Sequence, residues 1–137
     1  MRTIVVETPD VVGERMAGPA IRAWHLAHEL AGVAPTTLIA KVEGTPVATG
    51  TVKLLARGSS EAARATRDAD VLVGQPARGF RKVRRGQRVA FDLFDPTVLE
   101  LRELYGSAPS IRQRIHLGAE WSRLCYALEM ADLLICA

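Results

Sequence analysis

"TPDVVGERMAGPAIRAWHLAHEL", Thr8 to Leu30, follows the apolar run "RTIVVE" at the head of the chain, and the way these two are read decides the rest. "TIVVE" (Thr3 to Glu7) is rich in β-branched residues and bounded by Pro9, the composition of a buried strand in a parallel sheet. From Pro19 the pattern changes. Ala20, Ala23, Ala27 and Leu30 recur at helical spacing, Pro19 stands where an N1 proline belongs, and Gly32 closes the helix. A long loop carrying Gly13, Glu14, Arg15 and Gly18 therefore separates the first strand from the first helix.

The same alternation continues along the chain. "TTLIAK" from Thr36 and "VKLLA" from Val52 read as strands, and "SSEAARATRDA" as a short helix with Ser59 or Ser60 as its cap and Glu61 at its positive end. "DVLVGQ" from Asp70 and "RVAFDLFDP" (Arg88 to Pro96) are the next strands. "TVLELRELYG" and "IRQRIHLGAEWSRLCYALEMA" are helical, and "DLLICA" is a last strand. Nearly all-apolar strands alternating with helices imply a parallel sheet covered on both faces, so the class is α/β, Rossmann-like.

A chain of 137 residues is one domain by its length and buries roughly two-thirds of its unfolded surface. Hydrophobic residues at 48% and charged residues at 24% exclude a disordered chain. The apolar runs are far short of the ~20 residues that span a bilayer, and the N-terminus is unlike a signal peptide, so the cytoplasm is the expected compartment. Cys125 and Cys136 lie in apolar surroundings without CxxC spacing and read as core thiols rather than metal ligands or a disulfide.

The net charge is a mild +3, but Arg81, Lys82, Arg84, Arg85 and Arg88 crowd "RKVRRGQR" with no acid among them. A solvated turn is the simplest account. Nucleic acid is disfavoured because Phe80 alone offers an aromatic for stacking, and an anionic membrane is the third option, at about 1 kcal/mol per basic residue. That option would place the chain at the inner face of the membrane.

In α/β sheets ligands bind beyond the carboxyl ends of the strands, where the loop after the first strand lies. Gly18 and Pro19 open the helix without a bulky side chain, leaving first-turn N–H groups and the positive dipole end for a phosphate or carboxylate. Arg15 and Arg22 could add charge-assisted contacts. "GERMAG" lacks the GxGxxG spacing and no GK[ST] follows, which disfavours a nicotinamide enzyme and a P-loop. The bland alternative is a flexible loop with a glycine at the helix cap. A second constellation is "DLFDPTVLE": Asp92 ends an apolar strand and Asp95 precedes Pro96, so both carboxylates are candidates to orient sugar hydroxyls or act as a base. Asp95 could equally cap the following helix; Asp92 has the weaker structural excuse.

His25 and His28 sit three apart on the first helix without a third ligand, so no metal site is expected, and His116 stands alone. Trp24 and Trp121 read as packing residues. Ser59 and Ser60 lack the setting of a nucleophilic serine.

Taken together, "VVGERMAGPAIRAWHLAHEL", "DADVLVGQ", "VAFDLFDPTVLE" and "ADLLICA" resemble, in order and over nearly all the chain, the N-terminal half of family 4 retaining glycosyltransferases of GT-B architecture. The resemblance implies a Rossmann-like acceptor domain over residues 1–137, a nucleotide-sugar donor held mostly by a C-terminal domain absent from this chain, and no cofactor. It places Gly18, with Met16 and Ala17, near the donor diphosphate, and Asp92 and Asp95 on the turn facing the cleft as the catalytic candidates. The segment from Arg81 resembles the cationic surface with which some members meet membranes carrying lipid acceptors. The sequence ends at Ala137 where the family continues, and a cloned domain, a proteolytic remnant and a stand-alone protein are the competing explanations. On any of them this chain alone is expected to be inactive, since stabilising the leaving diphosphate needs both walls of the cleft. Apolar surface left by a missing partner domain would favour self-association. The alternative of another class is a non-catalytic binding domain that engages anionic partners through Arg81 to Arg88.

Overall fold

A computed structural model describes residues 1–44, 48–76, 80–93 and 97–136. The elements run β1 (Ile4–Val12), α1 (Gly18–Ala31), β2 (Thr36–Val42), β3 (Lys53–Ala56), α2 (Ser60–Asp68), β4 (Val71–Gly74), β5 (Arg88–Leu93), α3 (Thr97–Tyr105), α4 (Ile111–Met130) and β6 (Leu133–Cys136). The six strands form one sheet in the order β3-β2-β1-β4-β5-β6, every pair parallel. This is the Rossmann-like α/β arrangement, with its switch point between β1 and β4.

Consecutive strand residues face opposite sides, and the core divides accordingly. Val6, Leu38, Ala40, Val73 and Ala90 pack against Ala20, Ala23 and Ala27 of α1. Their neighbours Val5, Ile39, Leu72, Val89 and Phe91 form the other layer, with Ala62 of α2, Ala127 of α4 and Phe80. Leu38, Leu72 and Phe91 are almost wholly removed from water, which is worth about 1.5–3 kcal/mol each. The alanines on α1 let the helix lie close to the sheet. Helix ends follow the sequence signals: the Ser59 hydroxyl accepts the Ala62 N–H, and Ser110 forms a capping box with Gln113.

The first loop is shorter than its sequence suggests. β1 pairs with β2 and β4 through Glu7, slips register between Glu7 and Val11, then resumes against Lys41 and Val42. Pro9 cannot donate to the ladder, and the irregularity lets the strand pass through it. Thr8 is buried there, its hydroxyl accepting the Asp10 N–H at 3.3 Å. The loop proper is Gly13 to Ala17. Gly13 is required by close approach, since a Cβ would lie 2.9 Å from the Glu43 carbonyl oxygen. The end of β4 is equally tight, because a Cβ on Gly74 would lie 2.9 Å from both the Glu7 carbonyl oxygen and the Phe80 ring.

The C-terminal third is more open. No α3 residue is buried, and among the described residues of α4 only Ala127 is. Leu99, Leu104, Ile111 and Ile115 are exposed; so is Trp121, in place of the packing role expected of it. The cause is position: α3 packs on α4, and β6 is an edge strand. For the same reason Cys136 is exposed rather than a core thiol, while Cys125 is half-buried. Among the described residues no helix is long and apolar enough to cross a membrane.

Candidate functional site

Asp92 stands at the carboxyl end of β5 on the α1 side of the sheet, in a buried position where a bare carboxylate would be costly. Arg22, one turn into α1, resolves that cost. Its Nε donates to Oδ2 at 2.7 Å and its Nη2 to Oδ1 at 3.0 Å, the two-pronged geometry that suits a guanidinium. The hydrogen bond to Asp92 raises the Arg22 pKa above its ordinary value, against the opposing effect of burial. Arg22, expected to offer charge to an anion, is placed by the structure on Asp92, another of the predicted residues, 70 positions away in sequence.

Asp92 also borders a cavity of about 320 Å³ at the carboxyl ends of β4 and β5. Gln75 and Pro76 follow β4, Thr97, Val98 and Leu99 belong to α3, and Glu120, Arg123 and Leu124 come from α4. The α4 polar pair was not legible in the sequence as a site. Glu120 and Arg123 are ion-paired one turn apart, and His116 Nε2 lies 3.6 Å from the same Glu120 oxygen. His116, read as isolated, is further tied by its Nδ1 to the Tyr105 hydroxyl at 2.6 Å. The cavity thus combines carboxylate acceptors, guanidinium, amide and hydroxyl groups with aliphatic surface, the mixture typical of small-molecule sites.

The remaining predicted site residues, Asp95 apart, fall on the loop before α1 and on its first residue. Arg15 is exposed, Met16 packs against the α1-side core, and Ala17 is the N-cap. α1 begins with no side-chain cap and no acid in its first turn, in contrast to α2. A Cβ on Gly18 would meet nothing within 4 Å, so neither packing nor backbone conformation demands glycine there. Asp95 lies outside the described residues.

A further acid on the carboxyl edge is Glu7, which reads in the sequence simply as the end of an apolar run. Burial pushes its carboxyl above the usual range, and Arg57, 3.4 Å away after β3, only partly offsets this. His28 places Nδ1 against the Trp24 carbonyl at 2.8 Å and Nε2 against the Thr49 carbonyl at 3.2 Å. Among the described residues no three His, Cys, Asp or Glu side chains converge on a metal position.

The basic segment lies at the opposite, amino edge of the sheet. Lys82 and Arg88 reach Asp132 at 2.8 and 2.7 Å. Arg84 reaches Asp70 at 3.1 Å and the Ala69 carbonyl at 2.9 Å, beside the C-terminus of α2. Acids absent from "RKVRRGQR" are therefore supplied by other elements, leaving Arg81 and Arg85 as exposed cations. Gln87 is the buried centre of the segment: its Oε1 accepts the Val83 and Arg84 N–H groups, and its Nε2 donates to the Thr66 and Ala69 carbonyls.

Compared with family models, curated proteins and solved structures, the chain gives no significant match.

Proposed function

We propose that this chain is the acceptor-side domain of a retaining glycosyltransferase that moves a sugar from a nucleotide-sugar to an acceptor. The observation that carries the reading is the buried Asp92 carboxylate, fixed by Arg22 at the carboxyl edge of a doubly wound sheet and bordering a small polar-apolar cavity. Ligands of such sheets bind at this edge, and a carboxylate locked in one rotamer is suited to orient a hydroxyl. Gly18 adds support, because a glycine without a structural need, at an uncapped helix start, leaves room for an anion to approach the backbone.

In this reading the donor diphosphate approaches Gly18 and its neighbours Met16 and Ala17, with Arg15 as the nearby exposed charge. Arg22 acts through Asp92, and Asp92 faces the acceptor. A second domain supplies the other wall of the cleft, so the chain by itself does not transfer sugar at an appreciable rate. The exposed apolar residues of α3, α4 and β6 are then a surface for that domain, and self-association of the isolated chain would use the same surface.

Calorimetric titration of this chain, and of the longest form its gene encodes, with a panel of nucleotide-sugars tests the reading. Binding by the longer form alone is expected; binding by neither sinks it. Gly18→Val in the longer form should lower turnover with the fold intact, and unchanged kinetics would remove the α1 loop from the site.

A further inference from the structure

The charges of the described residues in the cavity wall are balanced in a way that restricts what can occupy it. Among its described residues two carboxylates, Asp92 and Glu120, meet one guanidinium, Arg123, which is itself ion-paired with Glu120. Arg22 matches Asp92 from the α1 side. No surplus cation remains among these groups to receive a phosphate, which is bound where positive charge is in excess. Val98 and Leu124 supply apolar surface in the same wall. A volume of about 320 Å³ is at the small end for ligand sites, which run to about 1,000 Å³, and favours one or two rings over a nucleotide-sugar.

We infer that this cavity takes a neutral polyol with an apolar face, such as a sugar, a cyclitol or a short glycoside, and that Glu120 orients its hydroxyls. The occupant's role as acceptor rests on the glycosyltransferase reading; its chemistry rests on the wall. Glu120 is prepared for the task, being held by Arg123 on one side and approached by His116 on the other, with Tyr105 behind His116. A carboxylate fixed in this way accepts hydroxyl protons without first losing side-chain freedom. Arg123 and Gln75 supply donors for ring and hydroxyl oxygens. Val98 and Leu124 meet the C–H face.

Saturation-transfer NMR on the chain tests the inference with methyl glycosides of glucose, galactose and mannose and with myo-inositol, each set against its phosphorylated counterpart. At least one neutral probe is expected to bind saturably, and its phosphorylated form at least tenfold more weakly. Glu120→Gln should weaken the neutral probe at least fivefold, and Leu124→Trp should abolish its binding by filling the cavity, with near-ultraviolet circular dichroism confirming that both variants fold. Failure of every neutral probe, a tighter phosphorylated probe, or indifference of a folded Glu120→Gln would each overturn it. Neutral-probe binding in a protein whose longest form ignores nucleotide-sugars would uphold the polyol site and remove the glycosyltransferase reading. Transfer confined to phosphorylated acceptors would do the reverse.

Discussion

The two edges of the sheet both carry charged groups and use them differently. At the amino edge, carboxylates are tied to main chain as well as to cations. Asp70 accepts the Thr3 N–H at 2.9 Å and Asp132 accepts the Val89 N–H at 2.8 Å, so each stitches the start of one strand to the approach of another. At the carboxyl edge, Asp92 is held by a side chain from a helix, and Glu120 by its own helical neighbour. The first arrangement completes strand ends that would otherwise lack partners. The second leaves carboxylate and guanidinium groups around an open volume. A charge engaged with backbone is part of the frame, whereas one held by another side chain beside a cavity can also meet a ligand.

The sharpest way to break this distinction is at Arg22. Arg22→Ala strands the buried Asp92 carboxylate and should cost about 3 kcal/mol, read from urea midpoints. The paired exchange Arg22→Met with Asp92→Leu should return stability to within about 1 kcal/mol of the parent, because apolar replacements of a buried pair are often neutral. Turnover of the longest form should nonetheless stay lost. Recovery of both would make the pair part of the frame after all.

At the amino edge the next largest effect belongs to Gln87. Gln87→Leu takes the acceptor from the Val83 and Arg84 N–H groups and the Gln87 donor from the Thr66 carbonyl, and should cost about 2–3 kcal/mol. Binding at the cavity, measured on the folded fraction, should not change. A change of affinity would show that the two edges are coupled.

Acid separates the edges more gently. Thr3 and Arg84 hold Asp70 below its ordinary value of 3.8, and Lys82, Arg88 and the Val89 N–H depress Asp132 further. A depressed folded value means stability that is fully present above the ordinary value and lost as pH falls below it. Glu7 has the opposite sign: its raised carboxyl makes the fold gain stability as pH falls through that raised value toward 4.5. Thermal midpoints should therefore rise slightly on mild acidification and then fall, with Asp132→Asn flattening the fall and Glu7→Gln the rise. Monotonic loss from neutral pH downward would contradict the assignment at Glu7. The smallest effect is expected at Gly18, where Ala meets open space and should change stability by no more than about 1 kcal/mol, in the stabilising direction.

The sheet and its helices were legible because buried parallel strands are apolar runs, and "TTLIAK", "DVLVGQ" and "RVAFDL" stand out against alanine-spaced or capped helices. The extension of β1 through Pro9 was not, because a proline followed by Asp10 carries the signal of a turn and only pairing with Lys41 and Val42 reveals the slip. Asp92 was legible as an acid ending an apolar strand. Its pairing with Arg22 was not, since a contact 70 residues apart leaves no local trace. Glu120 and Arg123 were hidden for another reason: α4 is apolar on several sides, so its sequence does not fix which face meets β5. In "RKVRRGQR" the cations dominate the sequence signal, while the neutral Gln87 among them is the buried one.

The place of β1 in the sheet has a consequence for how the chain is made. It precedes both of its neighbours in the chain, β2 and β4, and like β2, β4 and β5 it is flanked on both sides in the finished order. Its second neighbour is complete only when Gly74 has been added, and until then the apolar run from Ile4 to Val6 lacks its full ladder. Nascent-chain pulling experiments should therefore register a first mechanical event once β4 has cleared the exit tunnel, before α3 and α4 exist.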